Sequence, residues 1–238
     1  MTHRRLLALF VGLAAIACSS SPALAATHGP RHSDGRGSST NWSGYAVAGS
    51  SATHVVGTWT QPLAICSSGE NSWSSPWVGI DGDNSNTVEQ IGTDSDCSGG
   101  APYYYAWYEM YPKSLVKLSL PVVAGHSYTA EVTYTSGSFA LSLTDNTTGT
   151  PVSAPPQASR KARRSSIEWV MEGPSNGLLT DFSTVSFTSA SGTIGGVTGA
   201  VDSFANPDAI TMVTRSGLAR ATPGTASGGA FDVTWNHR

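Results

Sequence analysis

The sequence predicts an all-β protein of one domain, a β-sandwich of two antiparallel sheets in the manner of a concanavalin- or lectin-like jelly roll. Two observations carry this reading. Charged residues make up only 12% of the chain while Gly supplies 26 of its 238 residues, Ser and Thr are abundant, and long helix formers are few. Short apolar-alternating runs also recur along the chain, each stopped by Gly, Pro, Asn or Asp, at the spacing that strands of a sandwich require.

The first 25 residues combine Arg4 and Arg5, an apolar run, and small residues at Ala23 and Ala25, the pattern of a secretory signal peptide. Lipid attachment at Cys18 ranks second, because the position three before it is Ala15 rather than a larger aliphatic residue. No other run approaches the ~20 apolar residues that span a bilayer, so the mature chain is expected to have no membrane partner. Loss of Arg4 and Arg5 leaves 11 basic and 16 acidic residues, a formal charge of −5. That balance argues against nucleic acid as a partner.

Residues 26–39 are polar, Gly-rich and without periodicity, as in a flexible leader or a short pro-segment, and the domain proper is expected over 40–238. NWSGYAVAG and HVVGTWTQP read as the first strands, the second ended by Pro62. Only Cys66 and Cys97 survive processing, and an even pair in an oxidising compartment reads as a disulfide, not a catalytic thiol. Closing its ~30-residue loop is worth on the order of 3 to 4 kcal/mol.

Residues 77–93, WVGIDGDNSNTVEQIGT, form the central hairpin: two alternating runs around a turn of Gly, Asp, Asn and Ser. If Val78 and Ile80 face the core, Trp77 and Asp81 share the other face, and Gln90 joins them from the second run. A loop holding Cys97 and Gly99 then leads into PYYYAWYEMYP, whose aromatic density favours a strand with Tyr105, Trp107 and Glu109 on one side. A carboxylate in so aromatic a strand must be exposed, paired or functional.

VKLSLPV, SYTAEVTYT, FALSLTDNTTG and TPVSAPPQ follow as short strands with turns at Gly125, Gly137 and Asn146; the basic cluster Arg160, Lys161, Arg163 and Arg164 reads as a solvated loop. In SSIEWVMEGPS, Glu168 and Glu172 share a face opposite Ile167, Trp169 and Met171. VSFTSA, AITMVT and FDVTWN are the remaining strands, the last expected to close a sheet edge.

An HExxH zinc helix and a phosphate loop are missing, His54 and His126 lack a nucleophile context, and the Asp81, Asp83, Asn84, Asn86 cluster lacks EF-hand spacing. What remains is carboxylate chemistry beside an amide. WVGIDGD, EQIGT, YAWYEMYP and IEWVMEGP, in that order over residues 41–187, resemble the glutamic peptidases, or eqolisins. The resemblance implies an extracellular acid endopeptidase acting on protein or peptide substrates, without metal or cofactor, and expected to be a monomer. Matched motif to motif, it assigns catalysis to Gln90 and to Glu172 rather than Glu168, and it places Trp77, Asp81, Trp107 and Glu109 in the substrate cleft. Strand parity independently puts those four on one face with Gln90, Glu168 and Glu172. One departure is Tyr105, where the fungal members carry Asp before AWYE. Two rival readings use the same residues: a glycoside hydrolase with Glu109 and Glu172, or a non-catalytic carbohydrate-binding module stacking sugars on Trp77 and Trp107.

Overall fold

The computed structural model describes residues 28–33 and 35–238, so the expected signal peptide and Cys18 lie outside the described residues. Sixteen strands follow in order: β1 (Ser38–Ser39), β2 (Trp42–Ala48), β3 (His54–Thr60), β4 (Ser75–Ile80), β5 (Val88–Ser98), β6 (Ala101–Tyr111), β7 (Val116–Leu118) and β8 (Ser127–Thr135). The second half adds β9 (Ser138–Asp145), β10 (Thr150–Ser153), β11 (Ser166–Glu172), β12 (Thr184–Ile194), β13 (Val197–Ala200), β14 (Asp208–Val213), β15 (Ala219–Pro223) and β16 (Phe231–Trp235). The fold is all-β, as the composition predicts. Among the described residues the one helical element is a short 3-10 turn at Val201–Ser203.

One sheet runs β7-β6-β5-β4-β11-β2 and the other β10-β9-β8-β3-β12-β16-β15, with β14 pairing β2 on one side and β15 on the other. The two layers are therefore one continuous, largely antiparallel ladder, closer to closure than two separate sheets. FDVTWN does not close an edge: β16 lies between β12 and β15. Its outward Asp232 and Thr234 resemble edge polarity, but Phe231 and Val233 are drawn into the core. The loop expected around Cys97 is also absent as a loop. β5 continues through Cys97 and reverses into β6 over Gly99 and Gly100, both at positive φ (60° and 87°), a conformation glycine adopts without a Cβ clash. Cys97 is thus a strand residue, and its disulfide to Cys66 spans a Cα–Cα distance of 5.6 Å.

The core lies between the layers. Val78, Ile91, Tyr108 and Trp169 from the first sheet meet Val55, Trp59, Ala130, Leu141 and Phe187 from the second. Trp169 donates from Nε1 to the Val56 carbonyl at 2.7 Å, and a Cβ on Gly57 would stand 2.8 Å from its ring. Gly57 is small because Trp169 needs the space.

The opposite face of the first sheet carries a second apolar cluster: Trp42, Trp77, Val88, Tyr105, Trp107, Val170 and Ile210. Trp42, Trp77 and Trp107 there are fully buried, although no layer of the sandwich covers them. Residues 28–32 do part of the covering. The expectation of a flexible leader over 26–39 fails from His28 onward: this strap crosses the sheet, and β1 pairs in parallel with β14. The strap departs from a free tail because its polar groups find fixed partners. Arg31 N donates to Gly82 O, Trp42 Nε1 to Gly29 O, and Asn41 Nδ2 to Pro30 O.

Candidate active site

Register builds the site row by row across the first sheet. Gly79 of β4 stands between Glu168 of β11 and Gln90 of β5, and Gln90 in turn faces Glu109 of β6. Along β4, Trp77 lies between Val170 and Gly92, and Gly92 faces Trp107. Ser75 lies beside Glu172. Because strand side chains alternate, all of these share one face. Gln90 and Glu172 therefore rise from the two strands flanking β4, four positions apart along it, with Trp77 between them.

The two glycines keep the floor between these groups low. A Cβ on Gly79 would lie 2.9 Å from the Trp77 ring and 3.2 Å from Gln90 Cβ, and one on Gly92 would lie 2.5 Å from Trp77 Cβ.

Glu172 is the most heavily held group of the face. Its Oε2 accepts from Trp77 Nε1 at 2.9 Å and faces His28 Nδ1 at 3.3 Å, while Oε1 accepts from Asn41 Nδ2 at 3.1 Å and Gly29 N at 3.2 Å. Gln90 Nε2 donates to Glu109 Oε2 at 2.8 Å. Gln90 Oε1 is buried with no hydrogen-bond partner among the described residues, an acceptor open to a water or a substrate N–H. Burial pushes the Glu109 carboxyl up to about 7, so in acid it is neutral. Burial raises Glu168 well above the ordinary carboxylate range, with the nearby Asp83 and Asp81 adding to the shift.

Of the residues expected at the site, Trp77, Gln90, Trp107, Glu109, Glu168 and Glu172 share the face. The Asp81 carboxylate does not join them. The chain turns to positive φ (71°) at Asp81, just past the end of β4, and its oxygens accept from Arg164 N, Ser165 N and Ser165 Oγ at 2.7 to 2.9 Å. Parity fails there because alternation holds only within a strand.

Four further residues join the site unannounced by the sequence. Asp94 extends the row that holds Gln90 and Gly92 and accepts from Tyr105 Oη, so the phenol occupies the place of the missing carboxylate as a hydrogen-bond donor. Its parity with Gln90 was a usable signal, hidden by reading Cys97 as part of a loop. Asp96 follows on the same face, its pKa raised by burial first and then by Asp94. Asn41 fixes Glu172 Oε1. His28 stacks on Trp107, ring centroids 4.1 Å apart and 9° from parallel, with Nε2 3.2 Å from Asp94 Oδ1.

The all-β frame that carries this face is that of the glutamic peptidases. The family model described as the Peptidase A4 family matches residues 40–235, and the chain belongs to that family. It is 32% identical to Aspergillopepsin-2 of Aspergillus niger over 187 residues, 67% of this chain and 66% of that protein. To Scytalidopepsin B of Scytalidium lignicola it is 34% identical over 137 residues, 56% of this chain and 51% of that one. The chain thus spans about two thirds and about half of these relatives. Among solved structures, scytalido-glutamic peptidase with a transition state analog inhibitor superposes with a TM-score of 0.71 at 27% identity, covering 83% of this chain and 98% of that one. Aspergilloglutamic peptidase from Aspergillus niger gives 0.60 at 28% identity, covering 69% and 99%.

Proposed function

We propose that this chain is a secreted, monomeric acid endopeptidase on a jelly-roll sandwich, with residues 1–25 removed as a signal peptide and 40–238 forming the catalytic domain. Glu172 takes a proton from a water that attacks the scissile carbonyl and returns it to the leaving amine, acting as base and then acid. Gln90 cannot ionise; its amide N–H donates to the developing oxyanion while its C=O orients the water. The observation that carries this reading is the pairing itself: a buried carboxylate held by Trp77 Nε1 and Asn41 Nδ2, and across Trp77 a buried amide with a vacant acceptor. Glu109 supports the amide. Held neutral in acid by its raised pKa, it puts no second negative charge against the oxyanion.

The test is hydrolysis of a denatured protein across pH 2 to 7, run beside a polysaccharide panel, for the wild type and for Glu172→Gln. The substitution keeps size and hydrogen bonding but removes the proton acceptor, so proteolysis should drop by at least about 10² while the near-ultraviolet signal of the fold persists. Undiminished proteolysis in Glu172→Gln, or wild-type hydrolysis of polysaccharide alone, overturns the reading.

A further inference from the structure

The six strands of the first sheet carry six carboxylates and, of Lys, Arg and His, a single residue: Lys117 on β7. β7 is the edge of that sheet. Lys117 stands opposite Trp107 in the β6–β7 pair, while its neighbour Leu118 packs against the core between the layers. Alternation therefore puts the Lys117 side chain on the face of Gln90 and Glu172.

Two rings hold it there. Nζ donates to Tyr103 Oη at 2.9 Å, and it lies 3.7 Å from the centroid of the Tyr105 ring and 4.8 Å from that of Tyr103. A cation over an aromatic face is attracted by the ring quadrupole and keeps its charge. Among the described residues no carboxylate lies within ion-pair distance of Lys117. Tyr105 binds Asp94 through its hydroxyl and Lys117 through its ring, so one residue holds both charges without pairing them. A lysine on an edge strand often serves only to discourage pairing with another chain, but such a lysine needs no fixed seat.

A substrate carboxylate laid over the middle of the face meets Glu172 and Asp94. At the β7 rim it meets an exposed ammonium with donors to offer, since –NH₃⁺ has three and Tyr103 takes one. Neighbouring strands lie about 4.8 Å apart, so β7 is roughly 14 Å from β4 and its Trp77, the span of about four residues of extended peptide.

We propose that Lys117 is a specificity-determining residue that selects substrates carrying an ionised Asp or Glu side chain about four residues from the scissile bond, with Tyr103 and Tyr105 positioning its ammonium for that contact. The contact is made alike in the bound substrate and in the transition state, so it lowers KM and leaves kcat alone.

Selection in turnover rests on the peptidase reading; binding of the carboxylate does not, and the experiment separates them. Full-length wild type, Lys117→Met and Tyr105→Asp are given neutral dodecapeptides with a single Glu at each position in turn, each beside its Gln twin, at about pH 5, where a Glu side chain is mostly ionised. With the cut located by mass, wild type should cleave one Glu peptide about 5- to 10-fold more efficiently than its twin, through KM, where the Glu lies about three to five residues from the cut. Lys117→Met keeps the stem on the rings without the charge and should abolish the difference. In Tyr105→Asp the new carboxylate neutralises the ammonium and should abolish it too. Equal cleavage of every pair by wild type, or an undiminished preference in Lys117→Met, overturns the proposal. If no chain cleaves any peptide, the peptidase reading falls, and tryptophan emission titrated with the same pairs decides for Lys117. Tighter binding of a Glu peptide than of its twin by wild type but not by Lys117→Met upholds the acidic subsite; equal binding overturns it.

Discussion

Gln90 is the residue on which the chemistry divides most sharply, because a peptidase needs its amide and a glycosidase does not. In Gln90→Glu a carboxylate would face Glu109 directly on the adjacent strand and approach the developing oxyanion, repelling it when ionised. Activity should fall by at least about 10² against a peptide substrate, with the remainder growing as pH drops and the new group protonates. Near wild-type proteolysis of this variant at pH 4 to 6 would show that the amide is not the oxyanion donor. The same scale shows where sequence reasoning stops. Gln90, Glu109, Glu168 and Glu172 are legible because each sits inside a strand, where alternation fixes the side. Asp81 is not, because its direction is set by one positive φ and by the amides of Arg164 and Ser165, which are 83 and 84 residues away in sequence. His28 could not be read at all: its partners Asp94, Trp107 and Glu172 come from three other strands, and nothing in a Gly-rich leader announces them.

At the scale of the strand, β6 and β11 each present one face to the core and one to the site, and a tryptophan on each side gives a direct comparison. Trp169 lies in the inter-layer core and Trp107 against the strap. Trp169→Ala should cost about 3 to 5 kcal/mol in urea unfolding and leave the specific activity of the folded fraction largely intact. Trp107→Ala should do the reverse, lowering peptide turnover more than stability, since it removes one wall of the site and the donor to Ser75 Oγ. A larger activity loss from Trp169→Ala would mean the strand parity is inverted. Strand existence was legible almost throughout, since a period of two survives in short segments such as SYTAEVTYT, which is β8 residue for residue. Strand neighbours were not. That β16 is an inner strand, and that β5 runs on through Cys97, depend on pairings between segments far apart in sequence.

For the molecule as a whole, buried carboxyls set the pH at which the fold is most secure. Burial raises Glu89 from its ordinary 4.5 to about 8, with Asp81 adding to the shift, and Glu109 to about 7. A raised pKa means stability that is complete below the unfolded value and lost as pH climbs through the folded one, so the loss falls between about pH 4.5 and 8. At ~1.4 kcal/mol per pKa unit the two groups together amount to several kcal/mol. His28 works in the same direction at the upper end of that window. Glu70 and Asp145, whose hydrogen bonds lower their pKa values, act oppositely, and only where acid approaches their own range. The urea midpoint should therefore be higher at pH 4.5 than at pH 8.5, and Glu89→Gln should flatten the difference. A midpoint that rises toward pH 8.5 would contradict this account.

The seam at β14 has a consequence in time as well as in space. β2 is sandwiched between β11 and β14, so Trp42 and Gly44, near the start of the domain, wait for partners at Glu172 and Ile210. Contacts of such long sequence separation form late, after the entropy of closing very large loops has been met. During synthesis from the N-terminus, the sheet face that holds Gln90 stays open on one side until Glu172 and then β14 have left the ribosome. The face is therefore left incomplete by topology alone until the molecule that it belongs to is nearly finished.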